Sequence, residues 1–446
     1  MKKNLVIVLS GLVSFAIYFL LPVEKEILKG LSILFFIAAL WLTEAVPLTV
    51  TALLTPILAV LTGILDVKGA LSHFANPVIF LFMGGFALAA ALHKHGLDEL
   101  IAGRIMKAAG KKSLYSILGL FLSTALLSMW ISNTATAAIM LPVALGIISN
   151  FKDPSPSRDA FILLGVAYSA NIGGIGTIVG SPPNAITAAN LGLSFRDWIA
   201  VGAPIVAILM PIMIAVLYYV LKPALPERNI QPSGNINAPK TRDMYKVGLI
   251  FLVIVTLWLF SRPISKMLGI EGDFDSIVAL FGIFLLVFFR TIKWNEIQRF
   301  TDWGVLILFG GGLVLSAVLS ETGASGYLAG LVETHMSVYG PFPLILGSVL
   351  LMIFLTEVAS NTASAAIMVP IFLALGQETI HSSPRTIALS VGIAASCAFM
   401  LPVATPPNAL VYGTEKVRQR TMIKTGLYLN IIFAVVISVV GYIFLK

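Results

Sequence analysis

Long apolar runs separated by short polar breaks follow one another along the whole chain. An α-helix needs about 20 mainly apolar residues to cross the hydrocarbon core of a membrane. Runs of this kind predict eleven membrane spans, at 4–22, 28–45, 47–65, 76–93, 159–191, 198–221, 245–261, 275–290, 303–320, 385–413 and 422–445. The predicted fold class is therefore an all-α polytopic membrane protein.

Two further apolar stretches, 113–149 and 340–377, are long enough for two crossings, but a polar turn interrupts each in the middle. We expect both to be re-entrant hairpins, with Ser-Asn-Thr at the tips, 132–134 and 360–362. Two of the spans are also broken. The sequence Pro-Pro-Asn at 182–184 and 406–408 cannot continue a regular helix, because consecutive prolines lack N–H donors and clash with the preceding turn.

The two tips belong to an internal duplication. Residues 132–142 and 360–370 are identical at nine of eleven positions, and the Pro-Pro-Asn-Ala motifs recur in the same order. We therefore expect a first transmembrane helix (1–26), a first repeat (27–221, spans two to six), a cytoplasmic linker (222–243) and a second repeat (244–446, spans seven to eleven). Five spans per repeat make the topologies opposite, as in the inverted repeats of secondary transporters.

Charge distribution predicts the orientation. With the N-terminus inside, the predicted cytoplasmic stretches hold 21 of the 29 Lys and Arg residues, as the positive-inside rule requires. The C-terminus is then outside, and the location is the inner (plasma) membrane. Residues 94–112 alternate basic and apolar positions and predict an amphipathic helix on the inner surface. Lys2 and Lys3 precede an apolar run as in a signal sequence, but no small-residue cleavage site follows, so we expect a retained span.

Composition excludes several classes of function. The chain is 58% hydrophobic and 11% charged, and its net charge of +8 includes no long basic run that would favour nucleic acid. The single Cys397 excludes an internal disulfide, and the scattered histidines form no pattern of metal ligands. Gly110-Lys111-Lys112-Ser113 lacks the first glycine of a nucleotide-binding loop, which argues against an ATP-driven pump.

Polar groups at the tips and breaks indicate a binding site near the midplane. Polar residues are costly in a bilayer, so a repeated polar cluster points to function, although simple helix caps are the plain alternative. Within 128–142, 171–189, 356–370 and 398–412 the only charged residue is Glu357. Helix N-termini and Asn, Ser and Thr donors suit a carboxylate, but they carry only partial charge. A bound cation is the counter-charge that a dianion needs, which favours symport.

Two alternatives remain from the residues alone. Glu44 and Glu357 are carboxylates inside predicted spans; each is a proton carrier or, more simply, a group in a structural ion pair or polar contact. A hydrolase using Ser360 with a histidine is the distant alternative, because the histidines fall at helix ends.

The paired Ser-Asn-Thr and Pro-Pro-Asn-Ala motifs, with Trp-Leu-Thr-Glu-Ala-Val-Pro at 41–47, resemble the divalent-anion/sodium symporter family, in particular bacterial INDY-type dicarboxylate transporters. The resemblance covers essentially the whole chain. It implies a homodimer in which a transport domain moves against a scaffold in an elevator motion. It also implies sodium as coupling ion and succinate, malate or fumarate as substrate, although the family includes sulfate and tricarboxylate carriers and exchangers.

The resemblance also implies the site residues. The family's substrate contacts fall on Asn133, Thr134, Asn361 and Thr362, with Pro406 nearby. One sodium site falls on Ser128, Ser132, Asn133 and the carbonyl around Gly180, and the other on Thr356, Ala359, Asn361 and the carbonyl of Ala404. Ser128 and Thr356 occupy the same place in the two repeats, which agrees with one cation site per repeat.

Overall fold

The computed structural model of the protein describes residues 2–151, 153–226, 241–270, 272–336, 340–378 and 384–444. Every regular element in these ranges is helical. The first half contains α1 (Lys2–Leu20), α2 (Lys25–Thr43), α3 (Leu48–Leu61), α4 (Val67–Ser72), α5 (Pro77–Lys94), α6 (Leu97–Ala109), α7 (Ser113–Ser128), α8 (Asn133–Ser149), α9 (Pro156–Gly174), α10 (Pro182–Leu191) and α11 (Phe195–Leu221).

The second half follows the same order of long, short and broken helices. It contains α12 (Arg242–Leu259), α13 (Ser261–Leu268), α14 (Phe274–Phe288), α15 (Trp294–Phe300), α16 (Trp303–Glu321), α17 (Ala324–Met336), α18 (Pro341–Val358), α19 (Asn361–Glu378), α20 (Pro384–Ala394), α21 (Pro406–Tyr412) and α22 (Gln419–Phe444). Most of the predicted linker, 227–240, lies outside the described residues.

Seven helices of the described chain are long and apolar enough to cross a membrane, or eight if α12 and α13, which bend by 77°, count as one span. The apolar helices α3 and α14 have 14 and 15 residues, so each is roughly 20 Å long against a hydrocarbon core of about 30 Å. A multi-pass membrane protein is confirmed by these helices, whereas the count of eleven spans stays a prediction.

At both predicted hairpins the structure has two helices joined by a short turn. In the first, α7 and α8 meet at residues 129–132, and in the second, α18 and α19 meet at 359–360. Ser132 Oγ accepts a hydrogen bond from the Ala135 amide at 3.3 Å, and Ser360 Oγ accepts one from the Ala363 amide at 3.5 Å. The two serines therefore cap α8 and α19, which is the simple role that the sequence analysis gave as the alternative to a binding site. The neighbouring Asn133 and Asn361 instead contact the buried hydroxyls of Ser128 and Thr356.

Both spans with a Pro-Pro-Asn motif are broken. The chain leaves α9 at Gly174 and starts α10 at Pro182; it leaves α20 at Ala394 and starts α21 at Pro406. Proline is accepted at the first position of a helix because the missing N–H has no partner there in any case. The prolines thus begin the second helical segment of each broken span, whereas the first segment ends earlier, at Gly174 and at Ala394.

The two halves pack into each other. Helix α3 of the first half lies along α16 of the second, and α14 of the second lies along α5 of the first. The short helices after each break also cross over, because α10 contacts α19 and α20 while α21 contacts α8 and α9. This exchange brings both hairpin tips and both breaks to one place.

Candidate functional site

A cavity of about 640 Å³ lies where the hairpin tips meet the breaks. It is lined by both Ser-Asn-Thr tips (132–134 and 360–362), the first break (179–183), the second break (403–407), aromatic side chains of α5, and residues near the ends of α2 and α15. All four stretches that we expected to converge, the two tips and the two breaks, therefore line the same cavity.

Most of the expected site residues line this cavity. They are Ser132, Asn133, Thr134, Gly180, Asn361, Thr362, Ala404 and Pro406. Ser128 and Thr356 lie behind the wall and are fully buried. Ala359 lies at the second tip, where α18 ends, but is not part of the lining.

Three oxygen atoms converge at the first tip. Ser128 Oγ is 2.7 Å from Asn133 Oδ1 and 2.7 Å from the carbonyl oxygen of Ala170. A hydroxyl has one hydrogen and donates to only one of these acceptors. The remaining oxygen pair is close without a proton between them, which is an arrangement that a hard cation stabilises.

The second tip repeats this geometry. Thr356 Oγ1 is 2.6 Å from Asn361 Oδ1 and 3.0 Å from the carbonyl oxygen of Ala395. In both halves a buried hydroxyl, an Asn oxygen five residues later and a carbonyl of the broken helix form one group. The donor set of oxygens fits sodium at both places.

A glycine allows the first Asn to reach this position. A Cβ atom placed on Gly174 would lie 2.4 Å from Asn133 Oδ1, far inside van der Waals contact. Any larger residue at the end of α9 would push the Asn side chain out of the oxygen group. The run Gly173-Gly174 therefore serves close packing as well as helix termination.

The Asn residues of the two Pro-Pro-Asn motifs hold the breaks in shape. Asn184 Nδ2 donates to the carbonyls of Gly174 and Thr177, both at 2.7 Å. Asn408 Nδ2 donates to the carbonyls of Ala398 and Leu401, both at 3.1 Å. Each side chain thus donates to two carbonyls of the unwound segment; those of Thr177 and Leu401 also accept from the amides of Gly180 and Ala404. The sequence marked these motifs as helix breaks and missed this role, which the repetition of Asn would have signalled.

The two breaks also contact each other. Asn171 Nδ2 donates to Thr405 Oγ1 at 3.1 Å, and the hydroxyls of Ser181 and Ser396 are 3.4 Å apart. Ser181 and Thr405 directly precede the two Pro-Pro-Asn motifs, so in each half the hydroxyl at this position contacts a polar side chain of the other half. The breaks thus form one connected polar layer.

Charged groups at the cavity are acidic. Glu44 and Asp302 line it, and no Lys or Arg does so among the residues that the structure describes. Glu44 ends α2 in a left-handed conformation (φ 48°) and is exposed, and its carboxylate makes no ion pair or hydrogen bond within the described chain. The structural contact expected for Glu44 is not seen among the described residues, and the role of this carboxylate stays a prediction.

Glu357 makes the structural polar contact that the sequence analysis gave as the alternative to a proton carrier. It is buried, and its carboxylate accepts hydrogen bonds from the amides of Phe399, Met400 and Leu401 and from Asn430 Nδ2, at 2.6–3.0 Å. The polar contact is confirmed, and it ties α18 to the second break and to α22.

Several lining residues could not be found from the sequence. Phe86 of α5, Trp130 at the first tip, Phe300 at the end of α15 and Asp302 after it belong to no repeated motif. They reach the cavity only through packing between distant helices. The large apolar side chains among them narrow the space between the polar tips.

Comparisons with known proteins agree with this geometry. The family model described as "Citrate transporter" (CitMHS) matches residues 38–392. A sodium-dependent dicarboxylate transporter, SdcS of Staphylococcus saprophyticus, is 33% identical over 92% of this chain and 85% of its own length.

The chain belongs to the divalent-anion/sodium symporter family. The resemblance found in the motifs is thereby confirmed, and the protein is a transporter and not an enzyme. As a member of this family, it is 48% identical to an uncharacterized transporter of Haemophilus influenzae, over 99% of the chain and 97% of that protein.

Solved structures support the fold of this family member. The YdaH transporter of Alcanivorax borkumensis has a TM-score of 0.60 at 14% identity, covering 89% of this chain and 98% of its own. The MtrF protein of Neisseria gonorrhoeae, whose structure is described in the context of antimetabolite efflux pumps, has a TM-score of 0.58 at 16% identity, over 99% and 94%. At such identities the likeness concerns the arrangement of helices alone.

Proposed function

We propose that the protein is a sodium-coupled symporter that imports C4-dicarboxylates such as succinate, malate and fumarate across the inner (plasma) membrane. The observation that carries the proposal is the charge of the cavity, which within the described residues is lined by two carboxylates and by no basic side chain. A dianion entering this space from water loses hydration and meets only partial positive charges. Sodium bound beside it supplies the missing charge.

The proposed sodium sites follow the two oxygen groups. The first uses Ser128, Ser132, Asn133 and the carbonyl of Gly180, and the second uses Thr356, Ala359, Asn361 and the carbonyl of Ala404. When sodium leaves, the close oxygen atoms repel each other because no cation lies between them. We therefore expect each Asn amide to rotate and turn its Nδ2 toward the hydroxyl. This rotation would change the tip that faces the substrate.

The proposed substrate contacts are Asn133, Thr134, Asn361 and Thr362, with Pro406 in the wall. Asn133 and Asn361 are the first residues of α8 and α19, and they lie at the cavity. The N-terminus of a helix carries partial positive charge and free N–H groups that bind carboxylates. One helix end per carboxylate suits a molecule with an acid group at each end.

The larger organisation is proposed on the same basis. The halves are inverted-topology repeats, the N-terminus is cytoplasmic, and a homodimer works by an elevator motion of a transport domain. Matching hydrogen bonds at the two tips and the exchange of helices between the halves support the repeat. SdcS, a sodium-dependent dicarboxylate transporter, supports sodium as the coupling ion.

Citrate is the second candidate substrate, because the matching family model is described as a citrate transporter. Proton-coupled transport and exchange of di- or tricarboxylates or sulfate are the remaining modes of transport. Family membership excludes an intramembrane hydrolase, since the family and the structural neighbours are transporters.

The test is uptake by purified protein in liposomes. Radiolabelled succinate should accumulate when sodium is imposed outside, and not when choline or a proton gradient replaces sodium. Unlabelled malate, fumarate, citrate and sulfate added in excess rank the substrates. Uptake that needs no cation gradient would contradict symport. Uptake that occurs only when the liposomes contain an anion to exchange would also contradict symport and would favour exchange.

A further inference from the structure

A second cavity, of about 630 Å³, lies where α9 and α22 begin and α11 ends. Its lining comes from three segments, 154–160, 220–221 and 415–425, and it shares no residue with the cavity at the hairpin tips. The proposed orientation puts this end of the three helices on the cytoplasmic side. The space is therefore separate from the one proposed for transport.

The charge of this second cavity is opposite to that of the cavity at the tips. Its charged lining residues are four bases and two acids: Lys416, Arg418, Arg420, Lys424, Asp159 and Glu415. The cavity at the tips has two acids and, in the part of the chain that the structure describes, no base. Clustered charge of one sign draws ions of the other sign, so the second cavity favours anions.

One of the two acids already has basic partners. Asp159 Oδ2 lies 3.9 Å from Lys416 Nζ, and Asp159 Oδ1 lies 4.0 Å from Arg158 Nε. Glu415 is exposed and forms no ion pair with a described residue. An incoming anion thus faces one acid without an ion pair and the three remaining bases.

Those three bases suit a phosphate group. Arg418, Arg420 and Lys424 are exposed, and none of them forms an ion pair within the described ranges. The planar guanidinium group of arginine donates two parallel hydrogen bonds to phosphate oxygens, and lysine adds a point charge. Two arginines and a lysine around one cavity therefore point to a phosphate-bearing ligand.

An exposed apolar stripe leads away from the cavity along α22. It starts at Lys424, which lines the cavity, and continues with Leu427, Tyr428, Ile431 and Val435, whose side chains are 38–48% exposed. Steps of three and four residues place these side chains on one face of the helix. Because α22 is long and apolar enough to cross a membrane, this face is available to acyl chains.

A tyrosine marks the depth of the cavity in the membrane. Tyr219, near the end of α11, is 75% exposed and directly precedes Val220 and Leu221, which line the cavity. Tyrosine is enriched where a membrane meets water, because its ring is apolar and its hydroxyl is polar. The cavity is therefore expected at the level of the lipid headgroups.

We propose that this cavity binds the phosphate group of an anionic phospholipid from the cytoplasmic leaflet. Arg418, Arg420 and Lys424 bind the headgroup, and the acyl chains lie along the stripe on α22. A soluble phosphate would meet the same charges, but it would leave the apolar stripe uncovered. The inference does not depend on which substrate is transported or on sodium.

Thermal unfolding of the purified full-length protein in nanodiscs tests this proposal. Phosphatidylglycerol replaces a rising share of phosphatidylcholine at constant ionic strength, without substrate. The unfolding temperature of the wild type should rise with phosphatidylglycerol and then level off. The double variant Arg418→Gln/Arg420→Gln removes two basic groups that attract an anionic headgroup. It should raise the phosphatidylglycerol share needed for half of the effect roughly tenfold or more.

The matched control removes the same charge from another helix. Arg104 and Lys107 are exposed on α6, which the sequence predicts on the same side of the membrane, and neither lines the cavity. Arg104→Gln/Lys107→Gln should keep the lipid dependence of the wild type. Native mass spectrometry gives a second measurement, in which the cavity variant should retain at least one phosphatidylglycerol fewer per chain than the control.

Three results would overturn the inference. The first is a wild type whose unfolding does not respond to phosphatidylglycerol. The second is an equal loss of the response in the cavity variant and in the control, which would mean diffuse attraction to a charged surface. The third is stabilisation in pure phosphatidylcholine by sodium phosphate over sodium chloride that Arg418→Gln/Arg420→Gln abolishes, without a specific effect of phosphatidylglycerol. That result would assign the cavity to a soluble phosphate.

Discussion

In the proposed mechanism, individual side chains at the hairpin tips select the dicarboxylate and sodium. The two Asn residues contribute most to this selection. Asn133 and Asn361 begin helices, line the cavity and place an oxygen beside a buried hydroxyl. On the proposed mechanism, removing such a residue takes away a substrate donor and a cation ligand together. The sequence anticipated this pairing because the hydroxyl and the Asn recur at the same spacing in both halves.

Asn133→Ala and Asn361→Ala should each reduce succinate uptake at least tenfold while the protein stays folded. A hydrogen bond to a charged group contributes about 1.5–3 kcal/mol, which is enough for that loss. Asn190→Ala is the control, because Asn190 bonds to Ile186 and Ser316 and lies outside the lining. Near-normal uptake by either tip variant would contradict the assignment of the site.

Gly174→Ala tests the close approach at the first tip. The new methyl group would meet Asn133 Oδ1 at 2.4 Å, so we expect a strong loss of uptake and a weaker response to sodium. Gly248→Ala is the matched control, since its nearest neighbour would be 3.8 Å away. Equal uptake by the two variants would show that transport does not depend on the close approach of Asn133 to Gly174.

At the level of helices, hydropathy predicted most of the fold. The predicted spans and hairpins coincide with helices to within a few residues, because apolar runs of this length have few alternatives in a membrane. The prediction missed α4, α13 and α15, which have only 6, 8 and 7 residues, and α17, which begins directly after Gly323. Glu44, Phe300 and Asp302 were also missed as lining residues, because packing between helices that are distant in sequence brings them to the cavity.

The breaks should depend on their Asn residues. Asn408→Ala leaves the carbonyls of Ala398 and Leu401 without this donor, and Asn184→Ala does the same for Gly174 and Thr177. Unsatisfied buried groups cost about 1–3 kcal/mol, so both variants should unfold at lower temperature and lose uptake. Fluorescence-detected unfolding measures the first effect and liposome uptake the second. Wild-type values for both variants would show that the unwound segments hold their shape without these bonds.

At the level of the whole molecule, orientation can be tested with inserted cysteines. The single native cysteine, Cys397, is buried and should not react with a membrane-impermeant maleimide. Lys25→Cys, at the start of α2, should be labelled in intact cells, because the proposed topology places it outside. Lys111→Cys, between α6 and α7, should be labelled only after the membrane is opened. The reverse pattern would invert the proposed topology.

The dependence of substrate affinity on sodium tests the proposed mechanism most directly. Binding of sodium and dicarboxylate at adjoining sites requires that each raise the affinity of the other by the same factor. Succinate binding to the purified protein should be measured by calorimetry at several sodium concentrations, with choline keeping the ionic strength constant. Symport predicts that succinate affinity rises steeply with sodium and that binding is lost in choline alone. An affinity that is the same at every sodium concentration would contradict it.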